Sequence, residues 1–407
     1  MEKTRGKKGI TTTPKLRYPR ELLKEHIQRI QVSISPLALQ TLSTILDVVF
    51  FASLMVEESE PVRVGVVYAE HGVSTLNKVY DTEPSNEGVV ATWDVTKIKP
   101  FPLDSKSLAK FSRGLEYGKQ LAVIAGRGDR LRVEGTARRL PHTNGGNFPR
   151  IVAPRPGVIV FEKHFKELFR FEAGIHVPAR IDVLGNTGPV RNAISRISGA
   201  DCGSEGEFSY VEWTLHELLP KIRGLQTGAI VAIFPRKPHS RVLKQIKYKR
   251  SDPELFTSRV LAEYEQRRSY LFGHISAAGV RAPNEHVREE ADRATELLDN
   301  AIDELARLSA VDGAVVVGPG LAVYGGGYLI ESLGIDVMRK AHEATDASAK
   351  STRRYKGSHG ARHKAAFSFA WKNEGGVAFV VSEDGPVTCV MRIKQRLVVW
   401  PVHMMET

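Results

Sequence analysis

The 407-residue chain is 42% apolar and 26% charged, the balance of an ordinary globular protein, which excludes a disordered scaffold. A single core rarely grows to this length, so two or three domains are expected. The formal net charge of +12 favours acidic partners such as nucleotides, nucleic acid or anionic lipid, while Cys202 and Cys389 are too few and too far apart for a disulfide framework or a zinc site.

Residues 1–20, "MEKTRGKKGITTTPKLRYPR", are basic and lack the apolar core of a signal peptide, so they read as a flexible arm and the expected compartment is a reducing cytoplasm. In "SISPLALQTLSTILDVVFFASLMVEE", Ser35 can cap a helix and Pro36 suits its first turn. Leu39, Leu42, Leu46, Val49 and Phe50 then recur at helical spacing. The most lipid-like part of this stretch is too short to span a bilayer and contains Asp47, so it reads as a buried helix and not as a membrane segment. From about 60 to 200 the pattern turns to strands. "VRVGVVYAE" is a short apolar run, "QLAVIAGRGDRLRVEGTARR" has the form of a hairpin about a Gly-rich turn, and "PGVIVFEKHFKELFRFEAGI" continues the strand character. The tripeptide Arg127-Gly128-Asp129 is explained as that turn. Residues 21–200 are therefore expected to form a β-rich accessory domain with one buried helix.

The loop "ISGADCGSEGEFS" (197–209) is rich in Gly and acidic residues and is the expected boundary. Beyond it, over 210–400, elements alternate in α/β fashion. "VEWTLHELLPKIRGL" reads as a helix, "GAIVAIFP" as a buried strand, and "NEHVREEADRATELLDNAIDELARLSA" as a long amphipathic helix with Val287, Ala291, Ala294, Leu298, Ile302 and Leu305 on one face. "GAVVV", "LAVYGG", "AAFSFAW", "GVAFVVS" and "VTCVMRI" read as five further strands. The predicted fold class is α/β, a central mixed sheet flanked by helices, preceded by the β-rich domain.

Two stretches at the ends of these strands carry candidate chemistry. Asp312 precedes Gly313, Ala314 and a buried run, so one carboxylate sits at a strand's mouth, suited to a divalent cation or a ribose hydroxyl. "GPG" (318–320) reads as a hairpin turn, and "GGG" (325–327) does not open a helix, so the dinucleotide fingerprint is not met. In "GSHGARHKAAFSFAW" (357–371), Gly357 and Gly360 permit close backbone approach. Arg362 offers a planar fork for phosphate, His363 a donor and Lys364 a point charge. Taken alone, such a loop is usually a solvated basic loop.

The ordered set of Asp312-Gly313-Ala314, then "GARHKAA", then "VVSEDG" (380–385), resembles the nucleotide-binding domain of the diadenylate cyclases (DAC, DisA type). The resemblance extends upstream to "LLPKIRGLQTGAIVAI" and covers roughly residues 213–395. It implies a nucleotidyltransferase acting across a homo-oligomer. Two ATP molecules bind in facing domains, each ribose 3′-hydroxyl attacks the other's α-phosphorus, and cyclic di-AMP and pyrophosphate form with Mg²⁺ or Mn²⁺. By motif, Asp312 would contact metal and 3′-hydroxyl, and Gly313 and Ala314 would line base and sugar. Gly360, Ala361, Arg362, His363 and Lys364 would hold phosphates, with Ser382 and Glu383 beside them. Asp312, Arg362 and His363 would be the catalytic residues.

Departures from the family pattern accompany these matches. Ala361 replaces the usual Thr, Lys364 the usual third Arg, and Ala310 and Val311 the usual Leu-His. The segment "GGYLIES" stands where Leu-Pro is typical, and about forty residues around the long helix look like an insertion. The run "GDRLRVEGTARRLP…PRIVAPRPGVIVFE" resembles the N-terminal extension of the DACNV type of DAC-like proteins, regarded as nucleotide sensors. The alternative expectation is therefore a catalytically inactive sensor that binds a nucleotide or cyclic dinucleotide and signals to an unidentified protein partner. A nucleic-acid binder using the basic clusters is the third reading, but no helix-turn-helix, zinc or RRM-type signature accompanies them.

Overall fold

The computed structural model describes residues 17–29, 36–76, 93–118, 120–139, 148–163, 166–177, 180–199, 210–254, 285–333, 339–357, 360–382, 387–402 and 404. The basic arm up to residue 16, Ser35, the loop 200–209 with Cys202, and the segment 383–386 with Glu383 lie outside the described residues.

The first sheet is built from β1 (Val64–Tyr68), β2 (Trp93–Pro102), β3 (Gln120–Ala125), β4 (Arg132–Arg139), β5 (Arg150–Ala153), β6 (Ile159–Lys163), β7 (Lys166–Glu172) and β8 (Ile175–Val177). Their order is β8-β7-β6-β5-β1-β3-β4-β2. Pairing is antiparallel except between β1 and β3, where Val66, Val67 and Tyr68 run alongside Ala122, Val123 and Ile124. Strand periodicity divides the side chains between two faces. Val64, Val66, Ala122 and Ile124 enter one apolar cluster, and Val67, Leu121 and Val123 enter another. Helices α1 (Pro19–Arg29), α2 (Pro36–Ser53) and α3 (Ser105–Arg113) cover the first of these faces through Leu23, Leu42, Ile45, Leu46, Val49 and Leu108. Three helices thus pack here where the sequence pattern suggested one. The hairpin β3–β4 forms as expected, with a tight turn at Gly128–Arg130.

Helix α3 begins at Asp104, whose carboxylate accepts from the Ser107 N–H at 2.9 Å. That bond, and the Ser107 hydroxyl after it, hold the Asp104 carboxyl below its ordinary value. Asp104→Ala is expected to cost about 0.5–2 kcal/mol in urea unfolding at neutral pH. Because the folded pKa is the lower one, the carboxylate's contribution is full above the unfolded aspartate value near ~4 and is lost as pH falls through the depressed value. The gap between wild type and variant should therefore narrow in acid, and a gap that widens there would refute the cap.

The second sheet comprises β9 (Ala229–Ile233), β10 (Tyr248–Lys249), β11 (Ala314–Val317), β12 (Val323–Tyr328), β13 (Ala341–Ala344), β14 (Thr352–Arg354), β15 (Val377–Val381), β16 (Thr388–Ile393) and β17 (Arg396–Pro401). Their order is β10-β12-β11-β9-β15-β16-β17-β13-β14, with β9–β11 and β13–β17 parallel. Val231, Val315, Phe379 and Trp400 face α4 (Pro189–Ser198), α5 (Tyr210–Gly224) and α7 (Glu285–Leu308). Ile230, Val316 and Val380 face α8 (Ala361–Lys372), with the short α6 (Ser240–Gln245) beside it. This is a central mixed sheet flanked by helices. Cys389 on β16 is fully buried, and burial pushes its thiol well above the usual range. No helix among the described residues is long and apolar enough to cross a membrane.

Two placements depart from the sequence pattern. "AAFSFAW" is the body of helix α8, not a strand. Its Phe367/Phe369 alternation imitates a strand, but His363, Ala366, Phe367 and Ala370 are buried at helical steps, and the alanines favour a helix. Helix α4, which precedes the loop 197–209, packs Val190, Ala193, Ile194 and Ile197 into the second core. The connection between the sheets runs through Arg180, whose N–H meets Glu167 at 3.2 Å, and Ile181, whose N–H meets the Pro401 carbonyl at 2.8 Å.

Candidate functional site

Strand register brings the sequence candidates to one end of the second sheet. Ile230 on β9 pairs with Ala314 on parallel β11, so Gly228 and Asp312, each two residues earlier, leave the sheet at the same end. Strand β15 runs the other way and pairs Val381 with Ala229, which places Ser382 beside them. Helix α8 starts above this end. The Arg362 Nη2 donates to the Thr227 carbonyl at 2.7 Å, although the two residues are 135 apart in sequence. Three strand ends therefore lie at one end of the sheet, and the start of helix α8 reaches the end of β9 through Arg362.

Glycine supplies the room. Gly228 has φ +59°, and a Cβ there would stand 2.4 Å from Arg362 Nη1. Gly313 has φ +114°, and its Cβ would stand 2.8 Å from the Gly327 carbonyl carbon. Both positions combine the left-handed conformation with close approach, which is why no side chain fits. Gly313 thus serves the backbone of β11 and β12, and Ala314 is a buried strand residue that opens the core. Asp312 itself is exposed.

On α8, Gly360 occupies the cap position with no side chain. The amides of the first turn have no intrahelical acceptors and, with the helix dipole, favour an anion. Ala361, Arg362 and Lys364 are exposed, so the two cations stand where an anion at the helix start would meet them. His363 turns inward. It is only 9% exposed, with its ring 6.4 Å from that of Phe367, and does not share the solvent face of Arg362 and Lys364. Ser382 is half-buried at the strand end. Thr227 and Gly228 belong to no site motif of the sequence. The Gly that precedes the apolar run "AIVAIFP" was the available signal, but its meaning depends on the tertiary approach of Arg362.

The arrangement can hold a phosphate group by an exposed guanidinium, an exposed ammonium and helix N–H groups, with a carboxylate at the neighbouring strand end. Among the described residues no group of three or more His, Cys, Asp or Glu gathers to hold a metal ion. Asp312 is a single carboxylate, so a divalent cation would need its other ligands from a nucleotide's phosphates and from water.

Residues 35–138 match the family described as Probable sensor domain DACNV. The match falls on α2, α3 and the first sheet from β1 into β4, and so takes in "GDRLRVEGTAR" (128–138). It does not reach residues 213–395, and the expected relationship of that segment to the diadenylate cyclases gains no support from it. No curated protein and no solved structure matches the chain.

Proposed function

We propose that the chain is a sensor in which the end of the second sheet binds the phosphates of an adenine nucleotide or cyclic dinucleotide. The observation that carries this reading is the convergence of Asp312, Arg362, Ser382 and the start of α8 at one sheet end. Occupancy would be relayed through the Arg180–Ile181 connection to the first sheet, whose matched segment supports a sensing role. Binding without turnover is favoured by the inward His363, by Ala361 where a hydroxyl would meet phosphate, and by Lys364 where a fork would.

A second reading rests on Asp312, which is exposed at the mouth of β11 and accessible to a nucleotide held by a facing copy. In that reading two ATP molecules are condensed to a cyclic dinucleotide across a homodimer, with Mg²⁺ or Mn²⁺ carried on the phosphates. Phosphoryl transfer rests on positioning and charge neutralisation, which Asp312 and Arg362 would serve.

One experiment separates them. The full chain is titrated with ATP and with cyclic di-AMP by calorimetry, and ATP incubations with Mn²⁺ or Mg²⁺ are analysed by mass spectrometry beside Asp312→Asn. Saturable binding with no new nucleotide is expected. A cyclic dinucleotide made by the wild type and not by Asp312→Asn would establish the synthase instead, and absence of binding to either nucleotide would overturn both readings.

A further inference from the structure

The first sheet carries a cleft that the nucleotide reading does not use. It opens at the carboxyl ends of β1 and β3, the parallel neighbours of that sheet, where open α/β sheets place their ligands. Two adjoining hollows of about 460 and 410 Å³ share Glu70, His71 and Arg132, within the range of small-molecule sites. Their walls hold four fixed cations, Lys97, Arg127, Arg130 and Arg132, against two carboxylates, Glu70 and Glu134.

Both carboxylates are engaged. Glu70 pairs with Arg127. Glu134 accepts from Arg132 Nε at 2.6 Å and from the Val73 N–H at 3.2 Å, which fixes the Arg132 guanidinium over the cleft. Lys97 and Arg130 have no ion-pair partner among the described residues, so the cleft keeps an uncompensated positive charge. Glycine turns position both of its loops. The nearly buried Tyr68 hydroxyl donates to the Gly126 carbonyl at 3.0 Å, and Gly126 has φ +93°, where a Cβ would stand 2.3 Å from the Arg130 carbonyl oxygen. Gly72, at φ +96°, brings the other loop against Glu134.

A merely solvated basic surface would need neither the paired carboxylates nor the close glycine turns that border it. We infer that this cleft binds an oxyanion, a carboxylate or a phosphate, at Arg132, which lines both hollows, with Lys97 supplying a second cation in the first hollow and Arg130 in the second. It is the input site of the segment matched as a sensor, and it is independent of the nucleotide site on the second sheet.

The test is hydrogen exchange by mass spectrometry on the full chain, with inorganic phosphate and, separately, with citrate as probes. Peptides covering 69–74 and 126–132 are expected to exchange more slowly with at least one anion, and which anion protects identifies the class. The double variant Lys97→Ala, Arg130→Ala should need about tenfold or more anion for the same protection, since it removes a charge-assisted donor from each hollow. Both side chains are exposed, so its thermal transition should match the wild type. Arg362→Ala should leave the protection intact, which separates a failure here from a failure of the nucleotide site. No protection by either anion, or equal protection in the double variant, would overturn the inference.

Discussion

Replacing Arg191 by alanine is expected to lower the stability of the second sheet and its helices by about 3–5 kcal/mol, the cost of breaking a buried ion pair from one side. Arg191 on α4 donates through Nε to Glu212 on α5 at 2.6 Å, and the side chains are 4% and 1% exposed. Its Nη1 reaches the Gly185 carbonyl at 3.4 Å, and the Gly185 N–H in turn donates to Asp182 at 2.7 Å. His216 Nε2 lies 3.5 Å from the same Asp182 oxygen. This buried polar group thus ties the segment entering from Ile181 to the first two helices of the second core. Alanine leaves the Glu212 carboxylate in a site from which water is excluded. Calorimetry should register a fall of about 6–20 °C, at roughly 2–4 °C per kcal/mol for a body of this size. The paired replacement Arg191→Met, Glu212→Leu removes both charges and should recover most of the loss. A single-variant loss below about 1 kcal/mol would mean that the pair is not desolvated in solution.

The central strands of the second sheet were legible in the sequence for a physical reason. β9, β11 and β15 are buried on both faces, so they read as continuous apolar runs. Edge strands give no such signal. β2 is mostly exposed along "WDVTKIKPFP", and β14 is "TRR", so neither stood out. Helix α8 failed for the opposite reason. Its contiguous burial from Ala366 to Ala370 resembles a buried strand, and only its length and alanine content favour a helix. At the site, residue types pointed to Asp312 and Arg362, but their shared location follows from the registers of β9 with β11 and β15, which no local pattern encodes. His363 lay within the same motif, yet the helical turn that presents Arg362 to solvent carries the next residue inward.

The same geometry sets the second large effect. Arg362→Ala is expected to weaken nucleotide binding by about 1.5–3 kcal/mol, or about 10- to 150-fold in Kd, the worth of a charge-assisted hydrogen bond to phosphate. The fold should be little disturbed, because the side chain is exposed. Two companion variants separate binding from scaffolding. Arg362→Lys keeps the charge but loses the planar fork, so its affinity should fall between wild type and alanine. Gly228→Ala keeps the arginine but places a Cβ 2.4 Å from Nη1, which moves the guanidinium off the Thr227 carbonyl; because φ +59° also strains any side chain there, only its Kd, and not its thermal transition, reports on Arg362. If Arg362 acts on the ligand, calorimetric Kd should follow the position and shape of the guanidinium across these variants. If it only staples α8 to the start of β9, the thermal transition will drop while Kd stays constant. That second pattern would remove the phosphate role from the helix start and leave the sheet end without its principal anchor.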